Sequence, residues 1–243
     1  MIKVTGHRGA RNLFPENTLK GFVYAKELGC DRIELDVHLT KDKKLAVIHD
    51  ADLSRTTNGS GAVADFTFQE LQAFDAGEGE HIPSLDEVFE LLKDDAIRIQ
   101  IELKGPETEK YVPQLVAKWN YTKRVIFTSF FHHRVKIAKE LLPDAETGIL
   151  IACNPIDPGS LLRSAGADAL HVNYARIDQK LVRDIHSMNK IIVAWGIIVE
   201  IPVIENLIDL GVDVIGSDRP DVVLECLRNR REGGGKHLET DNT

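Results

Sequence analysis

The chain has 243 residues, of which 43% are hydrophobic, and carries a formal net charge of −8 at pH 7 with a pI of about 5.6. This acidic balance argues against a nucleic-acid-binding protein, which would need a basic face. The chain contains no apolar run approaching the ~20 residues of a membrane span, and it does not start with a leader-peptide pattern. Three widely spaced cysteines, Cys30, Cys153 and Cys226, form neither a disulfide framework nor a zinc-binding pattern. We therefore expect a cytoplasmic protein with free thiols and no stable membrane association.

Strand-like apolar runs alternate with helical stretches along most of the chain. In chain order, the strand-like runs cover residues 2–6, 32–39, 45–48, 97–103, 125–128, 147–151, 169–172, 191–194 and 212–216. Amphipathic periodicity between them predicts helices that include residues 17–28, 85–92, 133–142, 179–188 and 201–210. This alternation predicts βαβ units and a parallel sheet. About eight such units in a chain of this length predict a closed (β/α)8 TIM barrel.

Residues 51–83 interrupt this alternation. Gly-rich turns flank a helix-like stretch at 67–74, so we interpret the segment as a small insertion after an early strand, beside the functional site. The polar tail 231–243 has the composition of a disordered segment. We expect residues 1–230 to form a single barrel domain.

Acidic side chains share one face of two predicted strands. In Ile33-Glu34-Leu35-Asp36-Val37 the two acids lie two residues apart, and Glu102 occupies the same kind of position near the end of another run. Such a cluster would repel itself unless a cation lay among its oxygens. Because all the candidate ligands are carboxylates, Glu34, Asp36 and Glu102 predict a site for Mg²⁺, Ca²⁺ or Mn²⁺.

Two basic residues accompany these acids. Arg8 follows the first strand-like run, and Lys104 shares a strand face with Glu102. A divalent cation, Arg8 and Lys104 would together exceed the charge of the three acids by one, which matches a phosphodiester monoanion. Arginine can bind two phosphate oxygens through its planar fork, and lysine contributes a point charge.

Two histidines end extended runs. His7 ends the first run, and His49 follows residues 45–48. Histidine transfers protons near neutral pH, and phosphodiester displacement needs a base on one side and an acid on the other. We therefore predict His7 and His49 as the catalytic pair. His38, on the same strand face as Asp36, is expected at most to support the site.

The chain resembles the glycerophosphodiester phosphodiesterase family. The resemblance is dense in the first half and rests on several segments in family order: His7-Arg8-Gly9, Pro15-Glu16-Asn17-Thr18, Glu34-Leu35-Asp36-Val37, Thr40-Lys41-Asp42, His49-Asp50, Arg55-Thr56-Thr57-Asn58-Gly59, Ile82-Pro83-Ser84-Leu85 and Glu102-Leu103-Lys104. The second half matches more loosely, through Thr128-Ser129-Phe130, Trp195 and Gly216-Ser217-Asp218.

The resemblance implies a (β/α)8 barrel that hydrolyses glycerophosphodiesters to sn-glycerol 3-phosphate and an alcohol. It implies acid/base roles for His7 and His49, metal ligation by the three acids, and substrate binding by Arg8, Lys104 and Trp195. After Trp195 the family often carries Thr-Val-Asn, whereas this chain has Gly196-Ile197-Ile198. That departure affects the expected substrate preference and none of the proposed chemical residues.

Two alternatives remain open at this stage. A lysophospholipase-D-like hydrolase would need an apolar surface for an acyl chain, and a non-catalytic phosphate-binding barrel would not need both histidines. In the insertion, Phe68, Leu71 and Phe74 are spaced like the buried stripe of a short helix, and many of their neighbours are acidic. We therefore expect small soluble phosphodiesters as substrates. The headgroup, the metal, the acid and base assignments, and the oligomeric state are not determined by the sequence.

Overall fold

The computed structural model describes residues 2–234, which form nine strands and nine α-helices. The strands are β1 (Lys3–Gly6), β2 (Arg32–Leu39), β3 (Leu45–Val47), β4 (Arg98–Leu103), β5 (Val125–Ser129), β6 (Glu146–Ile151), β7 (Ala169–Asn173), β8 (Ile191–Trp195) and β9 (Val214–Ser217). The helices are α1 (Leu19–Glu27), α2 (Phe68–Leu71), α3 (Leu85–Leu91), α4 (Thr108–Lys118), α5 (His132–Leu141), α6 (Pro158–Ala165), α7 (Gln179–Ser187), α8 (Ile201–Leu210) and α9 (Pro220–Gly234). Among these described helices, none has the length and apolar character needed to cross a membrane.

Eight of the strands close into a parallel barrel. β1 pairs with both β9 and β2, and the remaining barrel strands follow in chain order around the circle. The predicted (β/α)8 TIM barrel is therefore confirmed. The carboxyl ends of all eight strands meet at one end of the barrel, so side chains far apart in sequence become neighbours there.

The one described strand outside this parallel barrel is β3. It pairs antiparallel with the end of β2, with Val37 opposite Val47 and Leu39 opposite Leu45. The backbone N–H of Ile48 then donates to the carbonyl of Asp36 over 3.0 Å. A hairpin thus returns the chain to the carboxyl end of β2, and this return brings His49 to the barrel mouth.

Alternation along the barrel strands separates the apolar core from the polar interior. On β2, Ile33, Leu35 and Val37 are fully buried in the apolar core formed with the helices. The intervening Glu34 and Asp36 point the other way, into the barrel. The same spacing of two residues predicted from the sequence that Glu34 and Asp36 share one face of the strand.

The insertion packs as a small separate apolar cluster. Leu53, Val63, Leu71 and Ile82 are buried together with Ala46 of β3, and partly buried phenylalanines cover them, namely Phe66, Phe68 and Phe74. A capping box between Thr67 and Glu70 starts α2. The aromatic residues of the insertion therefore pack onto its own apolar cluster.

The last helix runs further than the domain boundary predicted from the sequence. α9 continues to Gly234 and so includes the first four residues of the predicted disordered tail. Arg231 in its last turn is a favourable residue at a helix C-terminus. The rest of that predicted tail, 235–243, lies outside the described residues.

Candidate active site

A cavity of about 180 Å³ lies at the carboxyl end of the barrel strands. Seven of the eight side chains predicted from the sequence line it: His7, Arg8, Glu34, His49, Glu102, Lys104 and Trp195. The eighth, Asp36, lies in a cluster with Glu34 and Glu102. The fold therefore brings all the predicted residues to one place.

The three acids form a compact buried cluster. Each offers a carboxylate oxygen within 4.8 Å of the other two. Burial and the charge of Asp36 raise the pKa of Glu34 well above its ordinary value and that of Glu102 to about 7. Oδ1 of Asp36 is buried without a hydrogen-bond partner. Carboxylates crowded in this way fit a hard divalent cation, which would relieve their repulsion.

The loop after β1 holds this cluster from one side. The backbone N–H of Arg8 donates to Glu34 over 2.9 Å, and the side-chain amide of Asn17 donates to Asp36 over 3.0 Å. Both Arg8 and Asn17 have positive φ angles, 51° and 58°. A positive φ is strained for arginine and more easily adopted by asparagine. Thr18, the N-cap of α1, fixes the end of the loop.

His7 is held by an acid from the other end of the chain. Nδ1 of His7 lies 2.5 Å from Oδ1 of Asp218, and Nε of Arg11 lies 2.8 Å from the other oxygen. Burial acts to raise the pKa of Asp218, but the hydrogen bond with His7 and the charge of Arg11 hold it below its ordinary value. Asp218 is therefore ionised and accepts a hydrogen bond from Nδ1–H of His7. Nε2 of His7 is directed towards Glu34, 3.8 Å away.

His49 is held in the same way by its neighbour in sequence. Nδ1 of His49 lies 2.5 Å from Oδ1 of Asp50, and Nζ of Lys104 donates to Nε2 over 2.8 Å. Burial lowers the pKa of His49, and the positive charge of Lys104 acts in the same direction. His38 donates to the backbone carbonyl of His49 over 3.0 Å, in the supporting position expected from the sequence.

Both predicted phosphate-binding cations are already engaged by acids. NH1 of Arg8 donates to Glu16 over 2.7 Å, and its Nε lies 3.4 Å from Asp36. Nζ of Lys104 lies 3.1 Å from Glu102 and 3.6 Å from Asp36. Burial acts to raise the pKa of Glu16, but hydrogen bonds from Arg55 and Arg8 lower it to about 2.

Aromatic and aliphatic side chains form another wall of the cavity. The ring of Trp195 meets that of Phe130 edge to face, with centroids 5.2 Å apart. Ile197, the middle residue of the segment Gly196-Ile197-Ile198 in which this chain departs from the family, also lines the cavity and is 61% exposed. Ile197 stands where the family carries Val, whereas the polar Thr and Asn of the family are replaced by Gly196 and by the fully buried Ile198. This wall of the cavity therefore lacks the two polar side chains expected from the family.

Sequence reasoning missed the residues that hold the predicted ones. These are Arg11, Glu16, Asn17, Asp50, Arg55 and Asp218. All lie close to or within the family segments, but nothing in their local pattern indicates which side chain each contacts. Only Asp50 could have been inferred, because it directly follows a histidine at a strand end.

The fold and the cavity define an enzyme class: a (β/α)8 barrel with an acidic, histidine-containing site at the carboxyl ends of its strands. The chain belongs to the glycerophosphoryl diester phosphodiesterase family, whose sequence model matches residues 7–222, and is thus a phosphoric diester hydrolase. It is 37% identical over 237 residues to a glycerophosphodiester phosphodiesterase of Caldanaerobacter subterraneus subsp. tengcongensis, covering 93% of this chain and 97% of the relative. A glycerophosphodiester phosphodiesterase of Bacillus altitudinis is 36% identical over 91% of this chain and 96% of the relative.

Solved structures agree with this assignment. A phosphodiesterase of Oleispira antarctica, in complex with the product sn-glycerol 3-phosphate, superposes with a TM-score of 0.86 at 27% identity. The match covers 93% of this chain and 96% of that one.

Proposed function

We propose that the protein hydrolyses glycerophosphodiesters to sn-glycerol 3-phosphate and an alcohol in a metal-dependent reaction with two catalytic histidines. One observation carries the proposal: two histidines, each bonded through Nδ1 to an aspartate, and a cluster of three buried acids share one cavity. The Oleispira antarctica relative, which holds sn-glycerol 3-phosphate as product, supports the choice of substrate.

Glu34, Asp36 and Glu102 would hold the metal ion. Mg²⁺, Ca²⁺ and Mn²⁺ all suit a site made only of carboxylates. The unpartnered oxygen of Asp36 and the raised pKa values of Glu34 and Glu102 are what such a site presents before a cation neutralises it. When bound, the ion would polarise a phosphoryl oxygen.

Counting the surrounding charges suggests where the positive charge for the phosphate comes from. The network contains six carboxylates (Glu16, Glu34, Asp36, Asp50, Glu102 and Asp218) and four cationic side chains (Arg8, Arg11, Arg55 and Lys104). A divalent ion would bring this set to neutrality. The single positive charge that would balance a phosphodiester monoanion must then come from a protonated histidine. The count made from the sequence, which included only three acids, Arg8, Lys104 and the metal ion, did not require one.

The surroundings of the two histidines indicate which one carries that proton. Nε2 of His49 accepts a hydrogen bond from Lys104 and so has no proton of its own. A proton on Nε2 of His7 would face the carboxylate of Glu34. In the proposed reaction, Lys104 turns from Nε2 of His49 to the bound phosphate and so frees the Nε2 lone pair. The nucleophile, water or a neighbouring substrate hydroxyl, then attacks phosphorus and loses its proton to Nε2 of His49. As the bond from phosphorus to the leaving oxygen breaks, His7 donates a proton to that oxygen.

A coupled assay for released glycerol 3-phosphate, with and without EDTA, tests the proposal. Chelation should abolish activity, and addition of Mg²⁺, Ca²⁺ or Mn²⁺ should restore it. His7→Ala and His49→Ala should each lower kcat by about 10² or more, because general acid or base catalysis contributes ~10²–10⁴. His186→Ala, a change on exposed α7, is the matched control. Undiminished turnover in metal-free protein, or in either catalytic variant, would contradict the proposal.

One observation favours a second candidate, a lysophospholipase-D-like hydrolase. Six of the seven large apolar side chains exposed among residues 2–234 lie in segments that follow barrel strands, at the end that carries the cavity: Leu13, Phe130, Phe131, Ile156, Ile197 and Ile201. Only Leu141 lies at the opposite end, as the last residue of α5. Exposed apolar surface of this kind beside a site is typical of ligand-binding surfaces.

Comparing kcat/KM for glycerophosphocholine and for lysophosphatidylcholine below its micelle threshold decides between the two candidates. Preference for the acylated compound would favour the second. In that case Phe131→Ser should lower the ratio of acylated to deacylated activity, and Leu141→Ser should leave it unchanged. Preference of the wild type for glycerophosphocholine would leave the soluble phosphodiester as the substrate, and equal ratios in the wild type and both variants would show that Phe131 does not contact the acyl chain.

A further inference from the structure

The guanidinium group of Arg55 joins two acids of the site. Its Nε and NH2 donate to Asp50 over 2.5 and 3.2 Å. Its NH1 and NH2 donate to Glu16 over 2.9 and 2.7 Å. All three nitrogens of one side chain are thus used to hold two carboxylates in a fixed relation to each other.

Each of these acids holds one of the predicted functional residues. Asp50 accepts a hydrogen bond from Nδ1–H of His49, and Glu16 accepts a hydrogen bond from NH1 of Arg8. Asp50 therefore links Arg55 to the catalytic histidine, and Glu16 links Arg55 to the phosphate-binding arginine. No other described cation bonds to both Glu16 and Asp50.

The planar fork of arginine suits this position. Bidentate pairing with a carboxylate fixes both distance and orientation, whereas a lysine ammonium provides only a point charge. The effect on the acids agrees with this geometry. The hydrogen bond from Arg55 is the largest cause that lowers the pKa of Asp50, and it is also the largest of the influences that lower the pKa of Glu16 against burial.

The insertion is built to present this side chain. Thr57 donates through its hydroxyl to the carbonyl of Leu53 over 2.8 Å, and Leu53 is fully buried in the apolar cluster of the insertion. The backbone N–H of Asn58 donates to Asp75 over 3.0 Å on the far side of the same segment. The turn that carries Arg55 is thus anchored on both sides.

We propose that Arg55 is a positioning residue, through which the insertion fixes His49 and Arg8 at the same time. Arg55 keeps Asp50 against Nδ1 of His49 and Glu16 against the Arg8 guanidinium. This inference rests on the proposed roles of His49 and Arg8. It gives the insertion a function in the reaction.

Three variants test the inference in the full-length enzyme loaded with metal. Arg55→Ala removes the bridge, and Arg55→Lys keeps the charge without the fork. Lys20→Met is the matched control, because Lys20 bonds to Glu78 over 2.6 Å and also ties the insertion to the barrel, but is not among the ion-pair partners of the two bridged acids. We expect Arg55→Ala to lower kcat by about 10- to 100-fold, the effect of losing an orienting partner behind a site residue. It should also raise KM, because Arg8 is released. For Lys20→Met, kcat and KM should remain within about twofold of the wild-type values.

Two further measurements separate positioning from simple stability. Added guanidinium ion should restore part of the activity of Arg55→Ala, and an alkylammonium ion of the same charge should not. In NMR spectra, the downfield Nδ1 proton of His49 should be sharp in the wild type and in Lys20→Met, and broadened by exchange in Arg55→Ala. If Arg55→Ala does not fold, the turnover and the His49 proton signal of Arg55→Lys are compared with those of the wild type instead.

Turnover and a His49 proton signal in Arg55→Ala equal to those of the wild type would overturn the inference. So would an equal loss of turnover in Lys20→Met. The NMR signal is independent of activity, so the test of Arg55 still stands if the wild type proves inactive on glycerophosphodiesters. An inactive wild type would count against the proposed function alone.

Discussion

Nζ of Lys104 lies 2.8 Å from Nε2 of His49, at the end of a side chain that also contacts Glu102 over 3.1 Å. An ammonium group has no lone pair to offer, so Nε2 of His49 must accept the hydrogen bond from Lys104. Nδ1 must then carry the ring proton and donate a hydrogen bond to Asp50. The arrangement fixes the tautomer of His49 and leaves it neutral, which is the form a general base requires.

The first prediction concerns the titration of His49. Its pKa is lowered by burial, so the neutral base should persist as the pH falls to the ordinary value of about 6.5 and be lost only below it. An NMR titration of the His49 ring should show this directly. Lys104→Met should move the midpoint to higher pH, because it removes a positive charge that disfavours the imidazolium. A wild-type midpoint at or above pH 6.5 would contradict the prediction.

Metal affinity should rise with pH. Glu102 has a pKa of about 7, and that of Glu34 is also raised, so protons compete with the cation until both acids ionise. Calorimetry should therefore show tighter binding at pH 8 than at pH 6, with protons released on binding at the lower pH. Glu102→Gln should weaken binding sharply. A pH-independent affinity would be inconsistent with these acids as ligands.

The same groups make the stability of the metal-free protein depend on pH. Their raised pKa values mean that the folded state binds protons more tightly than the unfolded chain does. Their contribution to stability is therefore complete below a pH of about 4.5 and is lost as the pH rises through about 7. We expect added metal to raise the Tm more at pH 8 than at pH 6, measured by thermal denaturation in matched buffers. An equal increase at both values would argue against this linkage.

Asp218→Asn should impair the reaction without unfolding the barrel. An amide of the same shape can no longer stabilise a protonated His7, and it can favour the wrong tautomer of the ring. We expect kcat to fall by at least about 10-fold, the lower end of the cost of losing an orienting partner behind a site residue. Asp184→Asn, on exposed α7, is the control for a comparable change elsewhere. Full activity in Asp218→Asn would show that His7 does not depend on this acid.

The insertion should depend on its own apolar cluster. Leu71 is fully buried there, so Leu71→Ala should destabilise the fold by about 2–5 kcal/mol, as large-to-small changes in cores do. Gly59→Ala should also destabilise it, because an added Cβ would lie 2.5 Å from the ring of Phe74. Chemical denaturation measures both. Near-wild-type stability of Leu71→Ala would mean that the cluster can relax around the loss.

The sequence alone determined the features that follow from local periodicity. A period of two placed Glu34 and Asp36 on one face, alternation of strands and helices predicted the barrel, and the predicted helices α1, α3, α5, α7 and α8 begin and end within two residues of their observed bounds. These patterns are local because each depends on the geometry of a single strand or helix.

Only the tertiary structure decided which residues support the site. Asp218 reaches His7 across 211 positions because β9 closes the barrel against β1. Arg55 reaches Glu16 across 39 positions because the insertion packs against the loop that follows β1. The antiparallel return of β3, which brings His49 beside Asp36, likewise depends on pairing between strands. The period of a strand fixes the face on which a side chain lies, whereas its partner is fixed by barrel closure and packing through space.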